Sequence, residues 1–154
     1  MADLIPIAEP DGERKLNVVF VHGLGGDARG TWAFDGNDDN YWPWHLSKAI
    51  EGLGVYALDY DASPSAWLGK AMSIPDRAGN ILSRLIADNR LRNAPIVFIC
   101  HSLGGLVVKQ ALLDAHDQSA ASKRHGDFLE NVRGVAFLAT PHSGSDLANL
   151  LKAI

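Results

Sequence analysis

Short, unbroken runs of apolar residues recur along the chain, and longer stretches with a helical repeat lie between them. Four of these runs predict buried parallel strands, because a strand that is covered on both faces is apolar throughout instead of alternating. They are residues 16–21, 55–58, 96–100 and 135–139. The stretches 41–54, 74–92, 103–116 and 145–154 predict helices. Strands and helices that alternate at this spacing predict a doubly wound α/β fold with a mainly parallel sheet.

The length and composition indicate one globular domain. The chain has 154 residues, of which 47% are hydrophobic and 21% are charged, which is the size and balance of a single domain with a buried core. We take residues 16–154 as this domain and residues 1–15 as an N-terminal extension. The extension has early acidic residues and no long apolar segment, so it does not resemble a signal peptide. The polar stretch 117–131 predicts a solvated loop.

Charge and cysteine content narrow the possible partners. The net charge of -4, without a basic stripe, argues against nucleic acid as a partner. Cys100 is the only cysteine, so no internal disulfide can form and nothing indicates secretion. The apolar runs are far shorter than the roughly 20 residues of a membrane span, so we expect no transmembrane segment and a cytoplasmic location. Metal-ligand spacing is absent from the sequence, and we expect neither a metal nor a cofactor.

Two glycine-rich loops directly follow predicted strands. They are "HGLGG" at residues 22–26 and "HSLGG" at residues 101–105. In doubly wound sheets the functional site lies beyond the carboxyl ends of the strands, where the winding direction reverses. If the four strands have the spatial order 2-1-3-4, the two loops are neighbours at that point. We therefore expect them to form the site together.

Ser102 stands between an apolar strand and a helix, which is the context of a nucleophile elbow. Such a turn is sharp and strained, and it leaves room only for small residues two positions before and two positions after the serine. Gly104 meets this need, and Cys100 is a small apolar residue that can stand where glycine is usual. Ser102 is therefore the predicted catalytic nucleophile.

Attack by a serine on a carbonyl group creates an oxyanion that needs hydrogen-bond donors. The amide of Leu103, at the start of the helix, is one predicted donor. The second is the amide of Leu24 in the first loop, where Gly23 and Gly25 let the backbone approach a substrate closely. The loss of one such donor typically slows a reaction by about 10²–10³-fold.

Five segments together resemble the α/β-hydrolase superfamily. They are "VVFVHGLGGDARGTW", "YWPWHLSKAI", "VYALDYDA", "IVFICHSLGGLVVKQAL" and "GVAFLATPHSGSDLA", and they cover about residues 16–148. The chain is most similar to the serine esterase and lipase-like group with the inositol deacylases of lipid anchors and SERAC-type proteins. Hydrolase domains that precede NACHT-type NTPase modules are also similar. The resemblance implies a serine hydrolase that cleaves an ester, thioester or amide, with a small-molecule or lipid ester as the expected substrate. It also implies Ser102 as nucleophile and Leu24 and Leu103 as oxyanion donors.

In this superfamily the catalytic triad continues with an Asp or Glu and then a His on later strands. We expect these residues to follow Ile154, so that the sheet described by this sequence is partial, with about four strands. Its last strand would then be a long apolar edge, which further domains or a second copy could cover. The alternative function is a non-catalytic or effector module of a larger signalling protein, inactive alone because the triad partners are absent.

Three histidines lie near the two loops. His22 and His101 are expected to line the site and to hydrogen-bond to loop backbone rather than to transfer protons. His142, in "TPHSGSD", is either a substitute base or a loop residue that orders the site, and we favour the second role. The four tryptophans either line an acyl pocket or pack into the core: Trp32, Trp42, Trp44 and Trp67.

A competing interpretation starts from the first loop alone. Gly23, Gly25 and Ala28 match the G-x-G-x-x-A fingerprint of dinucleotide-binding folds. That fingerprint requires a helix to begin at once, because the pyrophosphate binds at its amino terminus. Residues 29–40, "RGTWAFDGNDDN", are loop formers instead, and the fingerprint leaves "HSLGG" unexplained. We therefore favour the hydrolase.

Overall fold

The computed structural model describes residues 2–63 and 73–143, which build one sheet with helices on both faces. The strands are β1 (Asp3–Ala8), β2 (Leu16–Val21), β3 (Leu53–Asp59), β4 (Ile96–His101) and β5 (Val132–Leu138). Their spatial order is β1-β3-β2-β4-β5, with β1 antiparallel to β3 and the other neighbours parallel. Of the helices within these ranges, none combines the length and apolarity that a membrane span needs.

The four predicted strands and their order are confirmed, since β3-β2-β4-β5 is the predicted order 2-1-3-4. The sheet has five strands rather than about four, because β1 lies within residues 1–15, which we expected to form an extension. Its sequence, "DLIPIA", has no unbroken apolar run and contains Pro6. Proline cannot donate a ladder hydrogen bond, so it suits an edge strand but weakens the sequence signal of one.

The helices are α1 (Trp42–Ala49), α2 (Ile74–Ala87), α3 (Gly104–Ser119) and α4 (Lys123–Asn131). Short 3₁₀ turns occur at Gly30–Trp32, Phe34–Gly36, Asp38–Asn40 and Asn89–Leu91. The helix predicted at residues 145–154 lies outside the described residues. α4 corrects the loop predicted for residues 117–131, which are helical for most of their length. The stretch is polar because α4 has a narrow apolar side, where Phe128 is buried, and an exposed side with a Lys123–Asp127 ion pair of 2.7 Å.

The sheet separates two hydrophobic clusters, as its apolar strands require. One cluster joins residues such as Val19 to Ile81 of α2 and Val107 of α3. The other joins Phe20 to Trp32 and to the side of α1. Successive residues of a strand point to opposite faces, so the adjacent residues Val19 and Phe20 serve different clusters. The carboxyl ends of β2 and β4 are thereby held side by side between two packed layers.

A buried carboxylate ties β1 to the end of α2. The Asp88 side chain is 6% exposed and accepts hydrogen bonds from the Arg90 guanidinium at 2.7 and 2.8 Å and from Arg84 at 2.8 Å. Arg90 also donates to the carbonyl oxygen of Leu4 at 3.0 Å, and Arg84 pairs with Asp3 at 3.2 Å. The hydrogen bonds from Arg90 lower the pKa of Asp88 to about 2.

We expect Asp88→Asn to reduce the free energy of unfolding by about 2 kcal/mol at pH 7, since the carboxylate is ionised far more readily in the folded chain. Because the folded pKa is depressed, this contribution is fully present above about pH 4 and is lost as the pH falls toward 2. The difference in free energy of unfolding between the wild type and Asp88→Asn should therefore fall to about half by pH 3. Urea unfolding of both proteins at several pH values measures this difference.

Asp3→Asn is the control, because the Asp3 side chain is 72% exposed. Its effect should stay within about 0.5 kcal/mol at every pH. An Asp88→Asn difference that does not change between pH 7 and pH 3 would show that the ionised carboxylate is not what stabilises this junction.

Candidate active site

Ser102 occupies the tight turn between β4 and α3. Its φ angle of +51° lies in the left-handed region, which costs a residue other than glycine about 1–3 kcal/mol. The Ser102 amide donates a hydrogen bond of 2.8 Å to the carbonyl oxygen of Leu138, at the end of β5. The strained turn is therefore held both by its own strand and by the neighbouring one.

Two glycines let backbone segments approach Ser102 closely. A Cβ atom on Gly23 would lie 2.7 Å from the Ser102 Cβ and 3.2 Å from its Oγ. A Cβ atom on Gly104 would lie 2.7 Å from the carbonyl oxygen of Val21 and would overlap the carbonyl oxygen of His22. Side chains cannot be accommodated at such distances. Glycine at both positions therefore allows the end of β2 and the start of α3 to meet beside the serine.

The loop after β2 makes a tight turn over residues 23–26. The Gly26 amide donates to the Gly23 carbonyl oxygen at 3.1 Å, and Gly25 has a φ angle of +68°, as a type II turn requires. The Gly25 amide donates to the carbonyl oxygen of Ala62 at 2.7 Å, which fastens the loop to the segment after β3. Leu24 is the second residue of this turn, and the hydrogen bonds of the turn do not use its amide.

Leu103 follows Ser102 and begins the first turn of α3. Its backbone is helical, and its carbonyl oxygen accepts hydrogen bonds from the amides of Leu106 and Val107 at 3.0 and 3.1 Å. Within residues 2–63 and 73–143, no hydrogen bond uses the amide N–H of Leu24 or Leu103. The Leu103 amide follows Ser102 directly in the chain, and the Leu24 amide follows Gly23, which packs against the serine. The dipole at the amino terminus of α3 favours negative charge there.

His22 is fully buried beneath the first loop. Its Nδ1 donates to the Gly23 carbonyl oxygen at 3.1 Å, and its ring stacks on Tyr60 at 4.4 Å. Its Nε2 lies 4.0 Å from a carboxylate oxygen of Asp59 and has no hydrogen-bond partner among the described residues. Burial lowers the pKa of His22, so the ring is neutral at pH 7. It contacts loop backbone and is buried away from solvent, which does not suit a proton-transfer role.

Tyr60 is a site residue that the sequence analysis missed. Its hydroxyl donates to the carbonyl oxygen of His22 at 2.6 Å, and burial raises its pKa far above the usual value. The hydroxyl therefore stays a donor and holds the loop through its backbone. Its position directly after β3, at the carboxyl edge of the sheet, is the signal that could have revealed it.

The other two histidines lie on the exposed side of the site. His101 ends β4, and its ring meets Trp32 edge to face at 6.3 Å. His142 follows β5 and packs edge to face on Phe137 at 4.8 Å. Neither histidine hydrogen-bonds to Ser102 in the described part of the chain. The two roles predicted for His142, a substitute base or a residue that orders the loop, therefore remain predictions.

Cys100 and Gly105 shape the two ends of the serine turn. Cys100 is completely buried in the core, and burial raises the pKa of its thiol, so it is a small packing residue and not a second nucleophile. A Cβ atom on Gly105 would overlap the Thr140 hydroxyl and would lie 2.8 Å from the Phe137 ring. Thr140 is a second residue that the sequence analysis did not single out. It packs the segment after β5 against the start of α3.

The dinucleotide fingerprint does not have the required geometry. After β2 the chain forms the turn at residues 23–26 and then 3₁₀ turns, and the next α-helix begins only at Trp42. Ala28 is buried and accepts a hydrogen bond from Tyr41 on its carbonyl oxygen, so it does not lie at a helix start. Among the described residues, no group of three or more His, Cys, Asp or Glu side chains could hold a metal ion.

Known proteins are similar to this chain in sequence and in fold. A family model described as "Putative serine esterase (DUF676)" matches residues 12–151. Protein SERAC1 from Homo sapiens is 34% identical over 87% of this chain, and the match covers 23% of that protein. Protein SERAC1 from Bos taurus is 32% identical with the same coverage. The chain thus spans about a quarter of the length of these relatives.

Solved structures are similar over the whole chain. The mature lipase BlEst2 of Bacillus licheniformis is 25% identical with a TM-score of 0.59, covering 99% of this chain and 52% of that one. A dienelactone hydrolase from Anabaena variabilis shares the fold at 16% identity, with a TM-score of 0.55, covering 99% of this chain and 60% of that one. Because the family model matches nearly the whole chain, the chain belongs to this serine esterase family and has the α/β-hydrolase fold, as the resemblance implied.

Proposed function

We propose that this chain carries the nucleophile half of a carboxylic-ester hydrolase, with Ser102 as the nucleophile. The observation that carries the proposal is the serine's backbone, strained at φ +51° between a strand and a helix and packed against Gly23. Strain of this kind persists where the surrounding structure imposes it, and it clusters at functional sites. Membership of the serine esterase family supports the same chemistry.

In the proposed reaction the Ser102 Oγ attacks the carbonyl carbon of the ester and its proton passes to a base. The carbonyl oxygen becomes an oxyanion that accepts hydrogen bonds from the amides of Leu24 and Leu103. The alcohol then leaves, taking up a proton from the protonated base. Water attacks the acyl-enzyme in the same way, which releases the carboxylic acid and restores the serine.

His22 is a positioning residue in this proposal. Its neutral ring holds the Gly23 carbonyl oxygen, and Tyr60 holds the carbonyl oxygen of His22 itself. Both bonds lie in a buried environment, where an unmade hydrogen bond is expensive. The loop that carries Leu24 is therefore fixed before substrate arrives. Donors that are fixed in advance lose no energy to reorganisation during the reaction.

The described residues do not position a base for the Ser102 proton. In residues 2–63 and 73–143, no side chain hydrogen-bonds to the Ser102 hydroxyl. This observation also favours a second candidate, a non-catalytic or effector module that keeps the fold. A serine site without its base still retains about 10³–10⁴-fold catalysis over water, from the oxyanion donors and binding. Residual reactivity of Ser102 would therefore support the hydrolase, whereas a module that has lost the function of its serine site would show none.

Incubation with a fluorophosphonate probe should label Ser102, because the oxyanion donors also stabilise the phosphorylation transition state. Peptide mass spectrometry of samples taken at successive times identifies the labelled residue and gives its rate of labelling. Ser102→Ala should remove the label, whereas Ser143→Ala, a matched serine in the loop after β5, should react like the wild type. The Ser102 rate should exceed that of any other serine by at least about 10²-fold. Absence of labelling at Ser102 would favour the non-catalytic module.

Gly23→Ala should slow this labelling by about 10²–10³-fold, the usual effect of losing one oxyanion donor. The added Cβ would lie 2.9 Å from the His101 carbonyl oxygen and closer still to Ser102, so the loop with Leu24 must move away. The second-order rate constant of labelling measures the change.

Gly79→Ala is the control for this substitution, since a Cβ atom there meets nothing within 4 Å and alanine favours the α2 helix. It should label at the wild-type rate. Thermal unfolding of both variants separates a displaced loop from an unfolded chain. If Gly23→Ala is folded and labels at the wild-type rate, Leu24 is not an oxyanion donor.

A further inference from the structure

A continuous group of aromatic rings connects the nucleophile turn to the protein surface. We call Phe20, Trp32, Trp42 and His101 the aromatic wall. The Trp32 ring meets His101 at 6.3 Å and Trp42 at 5.9 Å between ring centres. Phe20 packs beneath both tryptophans, at 5.0 and 5.2 Å, in edge-to-face geometry. His101 directly precedes Ser102, so the wall begins beside the proposed nucleophile.

The wall changes from buried to exposed along its length. Phe20 is fully buried and Trp32 is 6% exposed, whereas Trp42 is 40% exposed. His101 is also exposed to solvent. An indole held by two other rings yet open to water is an apolar surface with a defined position. Such a surface next to a reactive centre is suited to binding an apolar part of the substrate.

Trp32 gives a second, independent indication. Its indole N–H is buried and has no acceptor among the described residues. A buried donor without a partner costs about 1–3 kcal/mol, and a phenylalanine would fill a core position without that cost. Unsatisfied polar groups in native proteins call for an explanation, and a functional role is one. An ester oxygen could accept from this donor, whereas the hydrocarbon chain of an ester could not. Trp32, which carries this donor, is the tryptophan of the wall whose ring contacts His101.

Trp44 shows that exposure alone does not define the wall. It lies on the same helix, two residues from Trp42, and is 43% exposed. Its ring lies under the Lys48 ammonium group at 4.2 Å and borders a groove with Ile5 and Tyr41. It therefore faces β1, away from the ring contacts that lead to His101. The two tryptophans form a matched pair, one in the wall and one outside it.

We propose that the aromatic wall binds the hydrocarbon chain of the substrate ester, with Trp42 as the residue that determines chain-length preference. This inference deepens the proposed function and rests on it for the identity of the ester. The substrate class is an ester with an extended apolar chain, rather than an acetate ester of a small alcohol. The chain belongs to either the acyl or the alcohol side, and the experiment below separates the two.

The test measures binding without turnover. In a Ser102→Ala background, N-methyl amides of fatty acids with 4 to 10 carbons mimic the acyl side, and N-alkyl acetamides of the same lengths mimic the alcohol side. Dissociation constants come from NMR chemical-shift titration. A fully buried methylene contributes about fourfold in affinity, so a chain covered on one side should tighten binding by about twofold per methylene in one of the two series.

Trp42→Ala should abolish most of this chain-length dependence, and Trp42→Phe should keep most of it. Trp44→Ala is the matched control and should leave it unchanged. The proposal is overturned if neither series depends on chain length, or if the dependence survives Trp42→Ala. It is also overturned if Trp44→Ala reduces the dependence equally. Amide binding needs no nucleophile, so the two proposals can fail independently. Failure of Ser102 labelling would count against the esterase proposal, whereas the chain-length dependence of amide binding decides the role of the aromatic wall.

Discussion

The candidate site depends on one close contact, where the loop after β2 packs directly against Ser102 and the start of α3. Gly23 and Gly104 leave no space for a side chain between the carbonyl groups at the end of β2 and the serine turn. This contact brings the loop that carries Leu24 beside the turn that carries Ser102 and Leu103. It also fixes a serine in a backbone conformation that the residue would not adopt alone.

The loop is held from below by a buried polar pair instead of by apolar packing. His22 and Tyr60 are stacked, and each makes a hydrogen bond that involves loop backbone. Burial keeps both side chains uncharged around neutral pH, since it lowers the pKa of the imidazole and raises that of the phenol. The arrangement therefore positions hydrogen-bond donors without placing a charge under the site.

The two faces of the sheet pack against different elements. The face with α2 and α3 forms the larger core, to which Cys100 contributes. The face with α1 carries Phe20 and Trp32, and its packing continues to the surface through Trp42. His101 and Cys100 are adjacent in β4 and therefore point to opposite faces of the sheet. Cys100 packs into the larger core, whereas His101 belongs to the aromatic wall. The distal end of the molecule is stabilised independently, by the ion pairs around Asp88.

The sequence alone determined where the four apolar strands and the helices between them lie along the chain, and the strand-to-helix position of Ser102, because unbroken apolar runs and glycine-rich turns are local signals. It missed β1, whose edge position depends on the free side of β3, and it mistook α4 for a loop, because only Phe128 marks that helix's buried side. Tertiary structure alone decided that Tyr60 holds the His22 carbonyl oxygen, that Thr140 packs on Gly105, and that Trp42 rather than Trp44 continues toward His101. These contacts join residues far apart in the chain, so their distances follow from packing between elements and not from any local pattern.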